Sequence, residues 1–388
     1  MRIAGVVAEY NPFHNGHKYH LEQTRLMGAT HIVAVMSGAA VQRGDIAVAD
    51  KFERARTAIE NGADLVIELP CPYSCSSAER FASAAIQLLA GLGEGVVTLL
   101  SFGCEIDDIR VLNKGAELSK ELSDSQLVRD QLEKGVSYPA AMAAAAGIPA
   151  ISKVFESPND LLAVEYIKAI EKYSPWMIPV PVRRRDAAHD SSITSETIAS
   201  ASHIRELIAA GEDYGDFVPA KLSGEPFLLE NSDKALLLKI MTAESSELSR
   251  LPDMTTHLVR RFMNTRDTRC DLIRTPEDFA KLFKNKSITF ARIRRMLMYL
   301  ALGVTSRDLF DVPYGRILAL NDRGREILAA SLDTNVVYDT SLSKLEKISS
   351  RAARISELER SAVSLQQLSV KGRPEFISDY TRKIVLLR

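Results

Sequence analysis

The sequence has no long apolar run and few cysteines, and both absences narrow the class of protein. No segment approaches the roughly 18 consecutive apolar residues that a membrane-spanning helix needs, so we expect no membrane partner. Residues 1–9 lead directly into a strand pattern and lack the charged, apolar and small-residue order of a secretory signal. The four cysteines show no C-x-x-C spacing, which is typical of a reducing compartment. These features predict a cytoplasmic protein.

Two of the cysteines, Cys71 and Cys75, are four residues apart beside Pro70 and Pro72. A metal or redox role is disfavoured because zinc sites usually need two such pairs. We therefore predict no metal site in this chain.

The net charge of −1 conceals an asymmetry along the chain. Residues 1–180 hold 16 basic and 22 acidic side chains, whereas the remainder holds 33 and 28. Within residues 255–303 the counts are 11 basic and 4 acidic. Such a bias is typical of a polyanionic partner, but a solvated helical face explains it equally well. The candidate nucleic-acid contacts are Arg260, Arg261, Arg292, Arg294 and Arg295.

Short apolar runs that alternate with helix patterns predict an α/β fold. The predicted strands are residues 3–8, 31–36, 65–69, 96–100 and 176–182, and the predicted helices include 17–27, 50–61 and 77–91. Continuous apolar strands indicate a Rossmann-like, doubly wound parallel sheet, covered on both faces. Ligands of such sheets bind beyond the carboxyl ends of the strands.

The later sequence changes character. Residues 106–147 and 218–310 have helical patterns, including Phe290 to Leu302 with Gly303 as a C-terminal cap. Apolar runs at 316–320 and 334–338 and helical runs near 343–357 and 359–367 suggest a small mixed tail packed against the helices. We predict a catalytic domain over 1–210 and a mainly helical, basic domain over 211–388.

The densest polar cluster follows the first predicted strand and contains His14, Gly16 and His17. Gly16 allows the backbone to approach a ligand where a helix begins, and the free N–H groups there favour phosphate. His14 and His17 can donate to the same anion and gain charge as negative charge accumulates at phosphorus. Metal binding by His14, His17 and His20 is the weaker alternative, since no further ligand has a matching spacing.

Other polar segments lie where the remaining strands end. The loop Met36 to Gly44 contains Arg43 between two glycines and suits a phosphate clamp or a plain turn. In Ser157 to Asp160, either Asn159 or Asp160 is a helix cap or a ligand contact. Arg183, Arg184 and Arg185 follow the last strand, and one or two of them can reach phosphates. Ile198 to Arg205 places hydroxyls and an arginine at a helix start, which is a further phosphate-binding arrangement. The alternative, N-capping by Ser200 or Ser202, explains the serines but not Arg205.

Five ordered motifs carry a resemblance to a known family. They are Glu-Tyr-Asn-Pro-Phe-His-Asn-Gly-His, Met-Ser-Gly with Gln-Arg-Gly, Phe-Gly-Cys-Glu, Ser-Pro-Asn-Asp and Ile-Ala-Ser-Ala-Ser-x-Ile-Arg. Together they resemble the tRNA(Met) cytidine acetate ligase family of the His-x-Gly-His nucleotidyltransferase superfamily. The resemblance is strong over residues 1–210 and looser beyond.

The resemblance implies an activity with two steps. Acetate attacks the α-phosphate of ATP, giving acetyl-adenylate and pyrophosphate, and N4 of the wobble cytidine of elongator tRNA(Met) then takes the acetyl group. His14 and His17 are the implied catalytic residues, and Mg²⁺ is expected with ATP. The implied ATP-binding residues are Val7, Ala8, Glu9, Tyr10, Asn11, Pro12, Phe13, His14, Asn15, Gly16, His17, Lys18, Tyr19, His20, Gly103, Asn159, Arg183, Arg184, Ser202 and Arg205.

The sequence departs from the family pattern at Ala40 and Ala188, where an aromatic residue is common, so pocket lining or RNA stacking can differ. Two other functions fit parts of the sequence. A nucleotidyltransferase for a small phosphorylated metabolite shares the ATP loop but leaves the basic half unused. An RNA-binding protein with a vestigial or regulatory ATP pocket is the other alternative.

Overall fold

A central sheet organises the chain, and most of its strands are the apolar runs that the sequence predicts. The computed structural model describes residues 1–184, 197–331 and 334–387. The strands are β1 Ile3–Ala8, β2 His31–Ser37, β3 Ala40–Val41, β4 Asp45–Ile46, β5 Leu65–Leu69, β6 Val97–Cys104, β7 Ile178–Arg183, β8 Gly315–Leu320, β9 Tyr338–Asp339 and β10 Val385–Leu386. Their order in the main sheet is β10-β8-β5-β2-β1-β6-β7, with β9 beside β8, while β3 and β4 form a separate hairpin.

Helices fill the connections and much of the second half. They are α1 Asn15–Leu26, α2 Lys51–Glu60, α3 Ala78–Ala90, α4 Ile109–Leu122, α5 Gln126–Glu133, α6 Tyr138–Ala146, α7 Pro149–Glu156, α8 Pro158–Tyr173, α9 Ala201–Ala210, α10 Asp233–Thr242, α11 Ser245–Leu248, α12 Thr256–Thr268, α13 Pro276–Phe283, α14 Phe290–Leu302, α15 Asp322–Ala330, α16 Leu342–Leu345 and α17 Ser350–Leu368. Gly303 ends α14 in the left-handed conformation, as the sequence predicts. Among the described residues, no helix has the length and apolarity needed to cross a bilayer.

The sheet is parallel through β5, β2, β1, β6 and β7. Successive residues of its central strands enter different cores: Val33 and Val35 of β2 belong to one apolar cluster, and Ile32 and Ala34 to the other. Since side chains alternate across a strand, the two clusters lie on opposite faces. This two-sided burial explains why the strands are apolar throughout and confirms the predicted fold class.

The tail differs from the prediction in two respects. Strand β8 joins the main sheet antiparallel to β5 instead of only packing on the helices. All six residues of β8 are buried, so they need cover on both faces and a paired edge, which the sheet provides. The first predicted helical run, 343–357, is divided between the short helix α16 and the start of α17. The second run, 359–367, continues α17 without a break, because no glycine or proline interrupts residues 350–368. The division into domains at residue 210 stays a prediction.

A buried ion cluster fastens the tail to the sheet. The ammonium of Lys51 lies 2.5 Å from Glu68 Oε1, 3.1 Å from Glu359 Oε1 and 2.8 Å from Asp379 Oδ2. Arg316 Nη1 lies 2.7 Å from Asp379 Oδ2. These residues come from α2, β5, α17, the last segment and β8, so the cluster joins distant parts of the chain near the carboxyl ends of β2 and β5.

Candidate active site

A cavity of about 180 Å³ lies where the carboxyl ends of β1, β6 and β7 meet. This is the edge at which a parallel sheet is expected to hold a ligand. The structure brings many of the predicted ATP-binding residues to the cavity wall: Val7, Ala8, His14, Gly16, His17, Tyr19, His20, Gly103, Asn159, Arg183 and Arg184. Residues 185–196, which include Arg185, Ala188 and His189, lie outside the described residues.

Two histidines shape the start of α1. His14 is the N-cap residue, and its Nδ1 accepts a hydrogen bond from Gly16 N at 3.0 Å. His17 Nδ1 accepts from His14 N at 3.2 Å. A Cβ at residue 16 would lie 2.8 Å from Cε1 of His14, so only glycine leaves room for that ring. The pair therefore forms a reciprocal cap that resembles a capping box, with imidazoles in place of hydroxyl and carboxylate.

This geometry fixes the tautomer of both rings. Because a backbone N–H only donates, each Nδ1 must be the unprotonated acceptor, and the ring proton is on Nε2. The rings stack with their centroids 3.7 Å apart. His14 and His17 thus offer two Nε2–H donors at the start of α1, an arrangement that suits a phosphate oxygen.

Burial favours the neutral form of the three histidines. Burial, reinforced by the charges of Arg184 and Arg205, lowers the pKa of His14 to about 4. Burial also lowers the pKa of His17 well below its ordinary value, with His14 and Arg184 acting in the same direction. The pKa of His20 falls to about 4 for the same reasons, burial first and Arg184 second. The site therefore uses neutral donors until an anion arrives.

His20 belongs to a small hydroxyl network. Its Nε2 lies 2.9 Å from Ser101 Oγ, and Ser101 Oγ lies 2.7 Å from Thr24 Oγ1. Ser101 lies on β6 and Thr24 on α1, so the network ties the helix to the neighbouring strand. It gave no recognisable sequence motif, because serine and threonine are common in strands and helices.

The rest of the loop supports the cavity instead of lining it. Asn11 Oδ1 accepts from Val48 N at 2.8 Å, and Asn11 O accepts from Arg205 Nη1 at 2.9 Å. Asn15 Nδ2 donates to the carbonyls of Thr197 and Asp216. The predicted ATP-binding residues that do not line the cavity are Glu9, Tyr10, Asn11, Pro12, Phe13, Asn15, Lys18, Ser202 and Arg205. Several of these hold the loop backbone in place, and Lys18 is exposed.

Aromatic packing completes this support. The buried rings of Tyr10 and Phe13 lie 4.8 Å apart, and Tyr10 meets His17 edge-on at 4.9 Å. Beneath them the buried guanidinium of Arg54 donates to four main-chain carbonyls, among them Glu9 at 2.6 Å and Ser37 at 3.0 Å. Arg54 therefore fixes the backbone at the ends of β1 and β2.

The segment after β6 is held by Asp160. Its Oδ1 accepts from the main-chain N–H groups of Glu105 and Ile106 at 2.8 and 3.2 Å. The cap of α8 is Ser157, whose Oγ accepts from Asp160 N, so neither Asn159 nor Asp160 caps the helix. Ser157 is the cap because it directly precedes Pro158, the first residue of the helix, and has a short hydroxyl side chain.

At α9 the serines have separate tasks. Ser200 is the cap, its Oγ accepting from His203 N at 3.2 Å. Ser202 Oγ instead accepts from Arg205 Nη2 at 3.2 Å. Arg205 therefore bridges α9 and the Asn11 carbonyl, which explains an arginine that capping alone left unexplained.

Sequence reasoning missed most of the apolar wall of the cavity. The segment before α9 that the sequence singles out supplies Ile198, Ala199 and Ser200, whereas the missed lining residues are Phe102, Leu162, Tyr166 and Val182. Their pattern is that of ordinary strand and helix core, and only the fold places them together. They give the cavity a surface suited to a flat base or an acyl methyl group.

The loop between β2 and β4 lies away from the cavity, so a phosphate clamp there stays a prediction. Arg43 is exposed and is absent from the cavity wall. Gly44 has φ +76°, and a Cβ there would lie 2.3 Å from Arg295 N. Its glycine is required by a turn packed against α14, which favours the turn interpretation.

The two neighbouring cysteines are buried thiols. Cys71 Sγ and Cys75 Sγ lie 4.0 Å apart. Within the described ranges, no group of three or more His, Cys, Asp or Glu side chains is arranged to hold a metal ion.

The basic stretch occupies α12, α14 and the segment between them. Arg260 is exposed, whereas Arg261 Nε donates to Phe283 O at 2.7 Å. Arg292 Nη2 donates to Asp253 O at 2.8 Å. Arg294 Nη2 lies 3.0 Å from Glu277 Oε2, and Arg295 is partly buried, which lowers its pKa. Several of the five candidate arginines thus have structural partners.

Residues 1–375 match the family model described as HIGH Nucleotidyl Transferase. A tRNA(Met) cytidine acetate ligase from Acetivibrio thermocellus is 33% identical over 361 residues, covering 85% of each chain. The relative of that name from Staphylococcus haemolyticus is 34% identical over 336 residues, covering 84% of this chain and 86% of the relative. This chain belongs to the tRNA(Met) cytidine acetate ligase family.

Solved structures agree with the family. A crystal structure of Thermotoga maritima TmcAL bound with alpha-thio ATP has a TM-score of 0.87 and 28% identity to this chain, and each chain is covered completely. The apo form of that protein has a TM-score of 0.88, with the same identity and coverage. The predicted nucleotidyltransferase fold, the family and the ligase class are confirmed. The assignment of single residues to ATP or tRNA stays a prediction.

Proposed function

We propose that this member of the tRNA(Met) cytidine acetate ligase family activates acetate with ATP and acetylates N4 of the wobble cytidine, position 34, of elongator tRNA(Met). The products are N4-acetylcytidine, AMP and pyrophosphate. Support comes from relatives of that name with 33 and 34% identity and from the fold shared with an enzyme bound to an ATP analogue.

The observation that carries the first step is the stacked pair of His14 and His17, both of which line the cavity. An acetate oxygen attacks the α-phosphorus, a new P–O bond forms, and pyrophosphate leaves with the bonding electrons. Such a reaction depends on positioning and on donors that meet the developing charge. Two neutral imidazoles and the start of α1 supply donors without the Coulomb cost of buried cations.

We assign ATP contacts to the predicted residues that line the cavity. Arg183 and Arg184 both reach it, so both remain in the set. The predicted residues behind the wall, such as Asn11 and Arg205, act by holding the loop. Magnesium would be held mainly by phosphate oxygens and water, since no group of three or more His, Cys, Asp or Glu side chains in the part of the chain that the structure describes is arranged to hold a metal ion.

The basic half is assigned to tRNA, mainly through phosphate contacts. Arg260 is the strongest of the five candidates because it is exposed. Three others, Arg261, Arg292 and Arg294, already bond to main-chain or carboxylate oxygens. Their side chains are therefore held in place, and they add positive charge to the surface without being free to extend toward RNA.

Pyrophosphate release tests the first step and separates the alternatives. The purified protein is incubated with ATP and Mg²⁺, with and without acetate, and then with phosphorylated metabolites such as phosphopantetheine or nicotinate mononucleotide. Acetate-dependent release supports the ligase. Release that depends on a phosphometabolite would support a small-molecule nucleotidyltransferase, and no release would support an RNA-binding protein that ATP regulates.

A further inference from the structure

The side chains assigned to phosphate in the cavity are all hydrogen-bond donors. His14 and His17 each have their ring proton on Nε2. Arg183 and Arg184, which also line the cavity, offer only N–H groups. Such donors suit phosphate and carboxylate oxygens. They leave the donor groups of ATP, which are the ribose hydroxyls and the adenine amine, without an acceptor.

A chain of hydroxyl contacts fixes the tautomer of His20. Thr24 Oγ1 donates to the main-chain carbonyl of His20 at 2.8 Å. A hydroxyl has one proton, so in its contact with Ser101 Oγ at 2.7 Å Thr24 Oγ1 must accept. Ser101 has then used its own proton, and its oxygen accepts from His20 Nε2–H at 2.9 Å. Nδ1 of His20 is therefore unprotonated and keeps a free lone pair.

This lone pair is available to a ligand. His20 lines the cavity. Its Nδ1 has no hydrogen-bond partner within the described ranges, and it is not among the polar atoms that the fold seals from solvent. Burial, followed by the charge of Arg184, lowers the pKa of His20 to about 4. The ring therefore stays neutral near pH 7, and its Nδ1 acts as an acceptor.

The spacing along α1 selects the ribose among the donor groups of ATP. His17 and His20 are three residues apart in α1, so they lie on the same face, roughly 4.5 Å apart along its axis. In the proposed function the α-phosphate lies at His14 and His17, and the ribose is the group joined directly to it. The adenine, one group further along the nucleotide, is left to the apolar wall that contains Phe102 and Val182.

We propose that Nδ1 of His20 accepts a hydrogen bond from a ribose hydroxyl of ATP and so makes the cavity selective for a ribonucleoside triphosphate. This inference deepens the proposed function and rests on it for the identity of the nucleotide. Ser101 directs the ring, because its oxygen holds the proton on the opposite nitrogen.

The test compares nucleotides that differ by one hydroxyl. Acetate-dependent exchange of pyrophosphate is measured with ATP, 2′-deoxy-ATP and 3′-deoxy-ATP. The wild-type protein should prefer ATP to at least one deoxy analogue by ~10-fold or more in kcat/KM, because that analogue leaves Nδ1 unpaired. His20→Phe keeps a flat ring but has no acceptor. Its preference should shrink to within about twofold, through a lower kcat/KM for ATP and little change for the analogue.

Thr24→Val is the matched control for a merely structural effect. Thr24 belongs to the same network and the same helix but does not line the cavity. A ribose hydroxyl can pair with either tautomer of His20, because it both donates and accepts. The control should therefore keep the wild-type preference within about threefold. Equal loss of the preference in both variants would show only a loosened α1 and would overturn the role of His20.

Two other results would also overturn the inference. One is a wild-type protein that uses ATP and both deoxy analogues equally well. The other is a His20→Phe variant that loses its preference for ATP over purine riboside triphosphate, which lacks the adenine amine, since this would assign His20 to the base. If the wild-type protein shows no acetate-dependent exchange, the proposed function fails. Equilibrium dialysis with the same nucleotides, which needs no acetate, then decides the role of His20 by the same differences in affinity.

Discussion

Replacing His14 separates its role as a helix cap from its role as a donor to phosphate. In the structure its Nδ1 caps α1 through Gly16 N, and the residue lines the cavity, where its Nε2–H is the proposed donor. Asparagine is a good N-cap residue but does not extend as far as imidazole Nε2. His14→Asn should therefore keep the cap and lose the donor, whereas His14→Ala loses both.

The magnitudes follow from these contacts. Loss of one preorganised donor typically costs 10²- to 10³-fold in rate, or about 2.7–4 kcal/mol. Loss of a cap lowers the unfolding free energy by about 0.5–2 kcal/mol. Because domains typically have an unfolding free energy of about 5–15 kcal/mol, the variant should remain folded. Both variants should thus lose at least ~100-fold in acetate-dependent pyrophosphate exchange, and only His14→Ala should show a lower midpoint in urea. Near-normal exchange in His14→Asn would refute the donor role.

Three further predictions concern pH, the buried ions and RNA. The unfolding free energy should fall as pH is lowered from about 6.5 to about 4, because His14, His17 and His20 bind protons in the unfolded state that the folded protein excludes. His14→Asn should remove one of these three contributions and so reduce the slope in urea titrations. Lys51→Met should destabilise by about 3–5 kcal/mol in urea titrations, since it removes the cation shared by three buried carboxylates. Lys114→Met, at an exposed pair, should leave the unfolding midpoint nearly unchanged, and equal losses in the two variants would contradict the account. Arg260→Gln should weaken tRNA binding and reduce the salt slope by about 1 in filter-binding assays, with Lys114→Gln as the control; an unchanged slope would remove Arg260 from the interface.

The fold was predictable because its strands are buried on both faces and their apolar runs are therefore continuous. The position of β8 was not predictable, because residues 315–320 have the same apolar pattern whether they pair in the main sheet or in a separate tail. Pairing between distant segments is decided by tertiary contacts, here the antiparallel register with β5 and the Lys51 cluster, which leave no local signal.

The candidate site was predictable where one segment supplies several unusual residues. His14, Gly16 and His17 are close in sequence, and their local spacing sets the helix cap. Tyr166 and Phe102 have no such signal, because they reach the cavity only when α8 and β6 pack against the same edge. The role of Arg205 likewise depends on the carbonyl of a residue almost two hundred positions earlier.

The most direct test of the central claim uses the purified protein with ATP, Mg²⁺, labelled acetate and bulk bacterial tRNA. The tRNA is digested and its nucleosides are analysed by mass spectrometry, with the His14→Asn variant in parallel. The account predicts label in N4-acetylcytidine with the wild-type protein and at least ~100-fold less with the variant. ATP binding without any labelled N4-acetylcytidine would contradict it.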